Sequence, residues 1–388
     1  MRKITLHKNS FKNYGLWHLG TSLLHTGSLP TGEGGGRGRV LGFLFLLLLS
    51  ACTSSNDIEE IVGEDSAFYL EASAMLGEET TSAKTTRAHW NEDNKFEWDN
   101  SQNEMVVIVK KSSSGAIIPW GTNKSCTAKV KNITTEDDYE SIASITSNSG
   151  ILKTEIREMT VGQTPVYFFS PILSSENEST ISADGVVTLK LPSTFAQDAT
   201  PSMEDFKNYT YIKGESTISE INNGKLQAAS TRFTALPAVI RFAVTNDRGE
   251  SVKINSITVS VPGGKTGGFP KTMTWTPGSS TEPTLVSSAS DTEGLYTTLT
   301  ANMGSGYTLA ARETAGASAN FYAFLFPSTF SGARLTLTGE DGFNESFTYH
   351  CDIPEKTFVS NRIYTWNLTV EDNFLRMRFY EEKGLFQW

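Results

Sequence analysis

The chain has 388 residues, of which 38% are hydrophobic and 11% are aromatic. This apolar content excludes a wholly disordered chain, and the length predicts about two domains. The first 51 residues carry six basic side chains and one acidic one, so residues 52–388 hold a net charge of −15 within the total of −10. Binding to nucleic acid needs clustered Lys and Arg, so this acidic body excludes a nucleic-acid partner.

The amino terminus has the pattern of an export signal. Its apolar run, residues 40–49, is too short to span a bilayer as a helix. The run ends in Leu49-Ser50-Ala51-Cys52, which resembles a bacterial lipobox. The resemblance implies that the leader 1–51 is removed and that the Cys52 thiol is lipidated, so that a lipid anchors the mature chain in the outer membrane. The alternative is a plain signal peptide that a cysteine happens to follow.

Residues 52–87 are predicted to be a lipidated pro-segment that contains a removable first strand. Apolar and polar side chains alternate between residues 67 and 76, which is the pattern of a half-buried strand. The inward face of this strand is predicted to consist of Phe68, Leu70, Ala72, Ala74 and Leu76. The polar stretch GEETTSAKTTR follows it and ends at Arg87, so we expect a protease to reach this stretch.

Residues 88–232 are predicted to be an N-terminal β-sandwich. Its strand candidates are the apolar or alternating runs at residues 96–98, 105–111, 165–171 and 185–191. In the last run Val187, Leu189 and Leu191 share one face. Residues 192–232 are polar with weak periodicity, and we expect them to form an irregular link between the two halves.

Residues 233–372 are predicted to be a C-terminal β-sandwich. A hairpin is predicted around the turn at residues 246–249, and a change of parity predicts a β-bulge near Asn255 and Ser256. Further strand candidates are GLYTTLTA, NFYAFLFP, ARLTLTG, ESFTYHCDI and RIYTWNLTV. In the last of them Tyr364, Trp366, Leu368 and Val370 form one face. Because no segment shows helical periodicity, the predicted fold is all-β with two tandem β-sandwich domains.

Few side chains outside the leader carry catalytic or metal-binding chemistry. His89 and His350 lie in no paired-His, CxxC or nucleophile motif. Cys126 and Cys351 are predicted to be two separate buried thiols, with a disulfide as the alternative. We therefore expect no catalytic residue, no metal and no cofactor, and we predict that the chain is not an enzyme. A glycosidase with two carboxylates in a β-sandwich cleft stays open, because sequence spacing does not reveal such a pair.

The order of several segments resembles the fimbrillin family of Bacteroidetes surface proteins. After the lipobox and the first strand, these segments are TTRAHWNED, FEWDNSQNEMVVIV, DYESIASITSNSGIL, PVYFFSP, LPSTFAQ, YTYIKGES, PAVIRFAVTNDRGESVKINSITVSV and NRIYTWNLTV. They cover most of residues 52–372. The resemblance implies two transthyretin-like β-sandwich domains and a role as a pilus subunit or pilus-associated surface protein. Its partners would be other fimbrial subunits, in a homopolymer or a heteropolymer.

The resemblance also implies a maturation route. An Arg-specific protease would cut between Arg87 and Ala88 and remove the first strand, which carries Phe68 and Leu70. A strand from another subunit would then fill the groove, because unpaired backbone groups and exposed apolar side chains are costly. The alternative is that Arg87 is one surface arginine in a polar loop and that the strand stays in place.

The tail, residues 373–388, is a candidate donor strand. Leu375, Met377 and Phe379 share one face of its alternating pattern. The alternative, of equal weight, is that the tail is the final strand of the second domain itself.

These observations predict a structural or adhesive subunit of a fimbrium at the outer membrane and cell surface, with a host or bacterial surface ligand. The alternatives are a tip or accessory fimbrial protein and a surface glycan-binding lipoprotein that never polymerises. Exposed aromatic side chains in one loop cluster would favour glycan binding. Cleavage after an arginine and an exchanged strand would favour the pilus.

Overall fold

The computed structural model describes residues 67–76, 89–90, 96–97, 104–109, 116–118, 120, 125–132, 143–173, 177–197, 199–222, 224–262, 267–278, 284–285 and 294–384. All of these residues lie in one compact unit, Ile58–Trp388. The leader 1–51, Cys52, Arg87 and Ala88 lie outside the described residues. Lipidation of Cys52 and cleavage after Arg87 therefore stay predictions.

Strands dominate the first half of the described chain. In chain order they are β1 (Ala67–Leu76), β2 (His89–Trp90), β3 (Phe96–Glu97), β4 (Glu104–Val109), β5 (Cys126–Asn132), β6 (Ala143–Ser147), β7 (Ile151–Leu152), β8 (Pro165–Ser170), β9 (Thr180–Ile181), β10 (Val187–Lys190), β11 (Thr194–Ala196), β12 (Ile212–Asn222), β13 (Lys225–Ala228) and β14 (Thr231–Ala235). Two short helical segments interrupt them, α1 (Lys153–Ile156) and a 3-10 helix at Met203–Tyr209.

Strands also dominate the second half of the described chain. They are β15 (Ala238–Asn246), β16 (Val252–Ser260), β17 (Phe269–Pro270), β18 (Thr272–Trp275), β19 (Thr284–Leu285), β20 (Leu295–Tyr296), β21 (Thr298–Leu309), β22 (Ser318–Leu325), β23 (Ser328–Phe330), β24 (Ala333–Glu340), β25 (Ser346–Ile353), β26 (Lys356–Phe358), β27 (Arg362–Val370) and β28 (Leu375–Gly384). The predicted all-β fold class is confirmed. Within the described ranges, no helix is long and apolar enough to cross a membrane.

The larger sheet of the first half closes on itself. Its order is β13-β1-β14-β12-β8-β4-β5-β6, and β6 pairs in turn with β1. We call it the closed sheet. Strands β4 and β8 are buried on both faces, because Tyr167 and Phe169 on the outer face of β8 each lie 6.2 Å, centroid to centroid, from the Trp275 ring on β18. Burial on both faces accounts for the unbroken apolar runs MVVIV and PVYFF in the sequence.

The second half packs two sheets face to face. One is five-stranded in the order β11-β21-β16-β24-β25, and the other is four-stranded in the order β22-β15-β27-β28. Aromatic side chains join them: the ring centroids of Tyr307 and Phe321 lie 5.4 Å apart, and those of Phe195 and Phe324 lie 6.0 Å apart. Each strand presents alternate residues to this interface, as the predicted face of Tyr364, Trp366, Leu368 and Val370 does on β27.

Strands from both halves also pair with one another. Strand β10 pairs with β18, and β11 pairs with β21, so residues 187–196 join the two halves by backbone hydrogen bonds. Buried Gln197 adds to this junction. Its side-chain amide donates to the Tyr322 carbonyl and accepts from the Tyr322 amide, each at 3.0 Å. The predicted boundary at residues 232/233 falls inside β14. The division into domains 88–232, 233–372 and a tail stays a prediction.

The predicted hairpin around residues 246–249 is wrong. Strand β15 pairs with β22 and β27, whereas β16 pairs with β21 and β24, so the turn connects two different sheets. The Asn246 amide holds this turn by donating to the carbonyls of Glu250 (2.7 Å) and Ala310 (2.8 Å). Two strands that face each other across a core show the same alternation as two strands of a hairpin. The predicted β-bulge is confirmed by a register shift between Ile254 and Ser256.

The prediction of an irregular link at residues 192–232 is also wrong. This stretch contains β11, the 3-10 helix, β12 and β13, and β12 is a central strand of the closed sheet. Its alternation is weak because Gly214 occupies an inward position. A Cβ atom at Gly214 would lie 2.6 Å from Thr231 Cγ2 and 2.9 Å from the Phe233 ring, so the missing side chain makes room for these neighbours.

Candidate functional site

Strand β1 has partners on both edges. On one edge Glu71–Ala74 pairs antiparallel with β6. On the other edge β1 runs parallel to β13 at residues 69–71 and to β14 at residues 74–76. The start of β1 also pairs with β7. The first strand of the described chain therefore closes the sheet between segments that lie far from it in sequence.

The prediction of a half-buried strand at residues 67–76 is confirmed. Phe68, Leu70 and Ala74 are fully buried, and Ala72 is 6% exposed. Tyr69 on the opposite face is 45% exposed. Because successive residues point to opposite faces, the strand fills the core with one face and meets solvent with the other. We call the space that the buried face occupies the β1 groove.

Polar contacts outside the regular ladder also hold β1. The Leu70 amide donates to the Ser147 hydroxyl at 2.9 Å, and this hydrogen bond is buried. The Tyr69 amide donates to the Gly224 carbonyl at 3.1 Å. On the outer face the Lys225 ammonium lies 2.8 Å from a Glu71 carboxylate oxygen, with both side chains partly exposed. Solvent weakens that ion pair, so it orients the strand more than it stabilises it.

The tail lies in place as the last strand of the second half. Strand β28 pairs antiparallel with β27. Leu375 is buried, Met377 is half-buried, and Phe379 is 37% exposed with its ring centroid 5.3 Å from that of Trp366. This arrangement fits the alternative in which the tail completes the second domain. Donation of the tail to another subunit stays a prediction.

A charged cluster that the sequence did not predict fastens the turn before β28. Arg248, whose side chain is 11% exposed, donates to the Glu250 carboxylate at 2.5 Å. Its guanidinium lies 3.9 Å from Asp341 and 3.8 Å from Asp372. The Tyr349 hydroxyl donates to the Asp372 carbonyl at 3.0 Å. The cluster joins three turns that are far apart in sequence, and the sequence offered only the NDRG turn as a signal.

Two exposed aromatic side chains sit on the turns of this cluster. Phe343, after β24, is 77% exposed, and Phe374, before β28, is 53% exposed. A contiguous exposed apolar patch marks a surface that contacts another molecule. We call the two turns that carry Phe343 and Phe374 the aromatic turns.

Cys126 and Cys351 are separate free thiols, as predicted, but only Cys126 is buried as the prediction required. Cys126 is buried, and burial raises its pKa to about 12, which keeps the thiol protonated and unreactive. Cys351 is half-buried, burial also raises its pKa, and its Sγ lies 3.2 Å from the Leu375 carbonyl. His350 is exposed and contacts the Thr336 hydroxyl at 3.0 Å. Among the described residues, no group of His, Cys, Asp or Glu could hold a metal ion.

A polar cleft of about 230 Å³ lies where β10 approaches β20. Its lining residues are Asn177, Glu178, Lys190, Leu191, Pro192, Ser193, Thr194, Tyr209 and Tyr296. Glu178 forms an ion pair with Lys190 and is the one carboxylate among these lining residues. Glycoside hydrolysis by two carboxylates would need a second acidic side chain in the same cleft. This cleft does not supply the pair that the glycosidase alternative requires.

Solved structures similar to this chain include a cell adhesion protein and two fimbrial proteins. A Bacteroides uniformis protein described as a cell adhesion protein is 12% identical, with a TM-score of 0.47 over 82% of this chain and 98% of the other. The tip fimbrial protein Mfa3 of Porphyromonas gingivalis is 8% identical, with a TM-score of 0.39 over 82% and 99%. The fimbrial anchor protein Mfa2 of the same organism is 9% identical, with a TM-score of 0.31 over 81% and 98%.

No family model matches the sequence, and no curated protein matches it.

Proposed function

We propose that this chain is a structural or adhesive subunit of a cell-surface fimbrium that assembles by strand exchange and has no catalytic activity. The observation that carries the proposal is the position of β1, which closes the sheet with a partner on each edge. Residues 77–88 connect β1 to the rest of the molecule and contain Arg87. Because β1 precedes every other strand of the closed sheet, one cut in this connection would free it without breaking another strand.

Loss of β1 would leave a groove with two unpaired edges. The β6 edge and the β13/β14 edge would lose their backbone partners, and the space around Phe68 and Leu70 would open to water. Burial of each of these two side chains contributes about 1.5–3 kcal/mol. A strand from another subunit would restore both the backbone pairing and the apolar packing. The open groove would therefore favour association over the free monomer.

Export and anchoring form the first part of the proposal. The lipobox places the anchoring thiol at Cys52, ahead of β1, so the lipid and β1 would leave the subunit in the same fragment after cleavage. We expect the Cys52→Ala protein to incorporate no radiolabelled palmitate, whereas the Cys126→Ala control should incorporate as much as the parent. Labelling of the Cys52→Ala protein would contradict the anchor.

The tail is the proposed donor. It is an edge strand that pairs with β27 alone within the described ranges, so it can leave without breaking another sheet. Leu375, Met377 and Phe379 would then be offered to a groove on a neighbouring subunit. The Arg248 cluster lies at the turn where such a tail would hinge.

Cleavage is tested at the arginine itself. We expect the surface-exposed polymer to begin at Ala88, and we expect Arg87→Ala to abolish both cleavage and polymer ladders on an unboiled gel. Arg157→Ala is the matched control, because Arg157 is an exposed arginine after α1 and lies outside the closed sheet. Polymer that begins at Cys52 would contradict the proposal.

A glycan-binding adhesin is the second candidate, and the aromatic turns favour it. Phe343 and Phe374 are exposed on turns that the Arg248 cluster fastens together, as a contact surface requires. We expect the Phe343→Ser/Phe374→Ser variant to keep its stability and to lose the glycans that the parent binds on an array. A parent protein that binds no glycan would contradict this candidate and leave the structural role.

A further inference from the structure

The β1 groove is unequal along its length. The first part of the groove, toward the start of β1, holds the large side chains of Phe68 and Leu70, both fully buried. At its second part the side chains that the structure describes are methyl groups, those of Ala72 (6% exposed) and Ala74 (fully buried). A strand that replaces β1 must match this change from large to small side chains.

Large neighbours make the second part narrow. Ala72 lies beside Ile145 of β6, and Ala74 lies beside Thr231 of β14, and both neighbours are fully buried. The rings of Phe168 and Phe233, also fully buried, lie 5.9 Å apart in the same core. A larger side chain at position 72 or 74 would push against packed atoms, which is destabilising in a well-packed core.

The edges of the groove add two polar requirements. The Ser147 hydroxyl accepts a buried hydrogen bond from the amide at position 70, so a proline there would leave it unpaired. On the outer face the Lys225 ammonium pairs with the carboxylate at position 71. An acidic side chain at this position of the incoming strand would restore that pair.

We propose that the β1 groove accepts a strand from a different protein, and not the tail of a second copy of this chain. That strand carries large apolar residues at positions 68 and 70, an acidic residue at 71 and small residues at 72 and 74. The inference rests on the proposed function, since it names the partner of the same groove. It predicts that this subunit forms a heteromeric junction at its amino-terminal half.

The tail of this chain does not meet these requirements. Aligned in the direction of β1, Leu375 and Met377 fill positions 68 and 70, but Phe379 then falls on position 72 and Glu381 on position 74. No register of residues 371–388, in either direction, places large apolar side chains at 68 and 70 together with small ones at 72 and 74. A tail from a second copy would bury a charge or overpack the narrow part.

The test is a strand-replacement assay on the intact mature chain. The protein, labelled at its amino terminus, is cut after Arg87 by a trypsin-like protease, and the retained β1 fragment is challenged with excess synthetic peptide. The peptides are residues 66–77, the same peptide with Ala72→Leu and Ala74→Leu, a control with Tyr69→Leu on the exposed face, and residues 371–388. Fluorescence anisotropy measures the fraction of labelled fragment released after equilibration.

We expect the parent peptide and the Tyr69→Leu peptide to release the fragment equally. The peptide with two leucines should reach half release of the fragment only at an at least tenfold higher concentration. The tail peptide should release no fragment. Release by the tail peptide at the concentration that suffices for the parent peptide would overturn the inference and leave the proposed function standing. If no peptide releases the fragment, the parent included, β1 is not a replaceable strand and the proposed function itself is contradicted.

Discussion

The Cys126 thiol shows how burial couples one residue to pH. Its pKa is raised to about 12 by burial, which outweighs the opposing effect of Ser149. In the unfolded chain the same thiol ionises near its ordinary pKa of 9.0. The unfolded state therefore loses the proton first as pH rises, so the free energy of unfolding falls between about pH 9 and 12.

Removal of the Cys126 thiol should weaken this pH dependence. We expect the Cys126→Ala protein to lose less stability than the parent between pH 9 and 10.5, measured by urea unfolding. Tyr211 and Tyr322 also have a pKa that burial raises, but they titrate in both proteins, so the difference between the proteins isolates the thiol. Parallel loss of stability in parent and variant would contradict the account.

At the scale of elements, β12 depends on one missing side chain. Gly214 allows Thr231 and Phe233 to pack against the strand, because an added Cβ would lie 2.6 Å and 2.9 Å from them. We expect Gly214→Ala to lower the free energy of unfolding by about 1–3 kcal/mol through overpacking. Gly249→Ala is the matched control, because nothing lies within 4 Å of a Cβ there. Equal stability of the two variants in urea unfolding would contradict this packing.

Elements with one buried face were predictable from sequence alone. In β1, and in β27 from Tyr364 onward, every second residue is buried, so the pattern predicts both the strand and the residues of its inward face. In β12 the glycine at an inward position removes that signal, so the sequence predicts a link there and not a strand. The turn at residues 246–249 was placed correctly, but alternation does not tell whether the flanking strands share a sheet.

The candidate site was predictable in part for the same reason. The sequence identified Phe68 and Leu70 as the buried face of a first strand, and the structure places them in the core. The sequence could not identify the neighbours of these residues. Strands β6, β13 and β14 follow β1 at large sequence separations, and periodicity does not show which strands pair. The Arg248 cluster was missed because its members lie on three separate turns.

For the whole molecule, closure of the sheet makes β1 an integral strand of the monomer, although it lies at one end of the chain of strands that forms the closed sheet. Two paired edges, a buried Phe68 and a buried Leu70 hold it in place. Its position before every other strand of the closed sheet means that a single cut in residues 77–88 separates it from the chain. We propose that assembly uses this combination: the groove would form in the precursor and would open only after cleavage.

The most direct measurement locks β1 in place. Glu71 lies opposite Thr146 in the antiparallel pair with β6, at positions that are not fully buried, so Glu71→Cys with Thr146→Cys can form a disulfide across the two strands. We expect the oxidised double variant to be cut after Arg87 yet to form no ladders on an unboiled gel, and we expect a reducing agent to restore them. Each single cysteine variant should form ladders under both conditions. Ladders from the oxidised, cleaved double variant would show that assembly does not require β1 to leave, and they would contradict strand exchange at this groove.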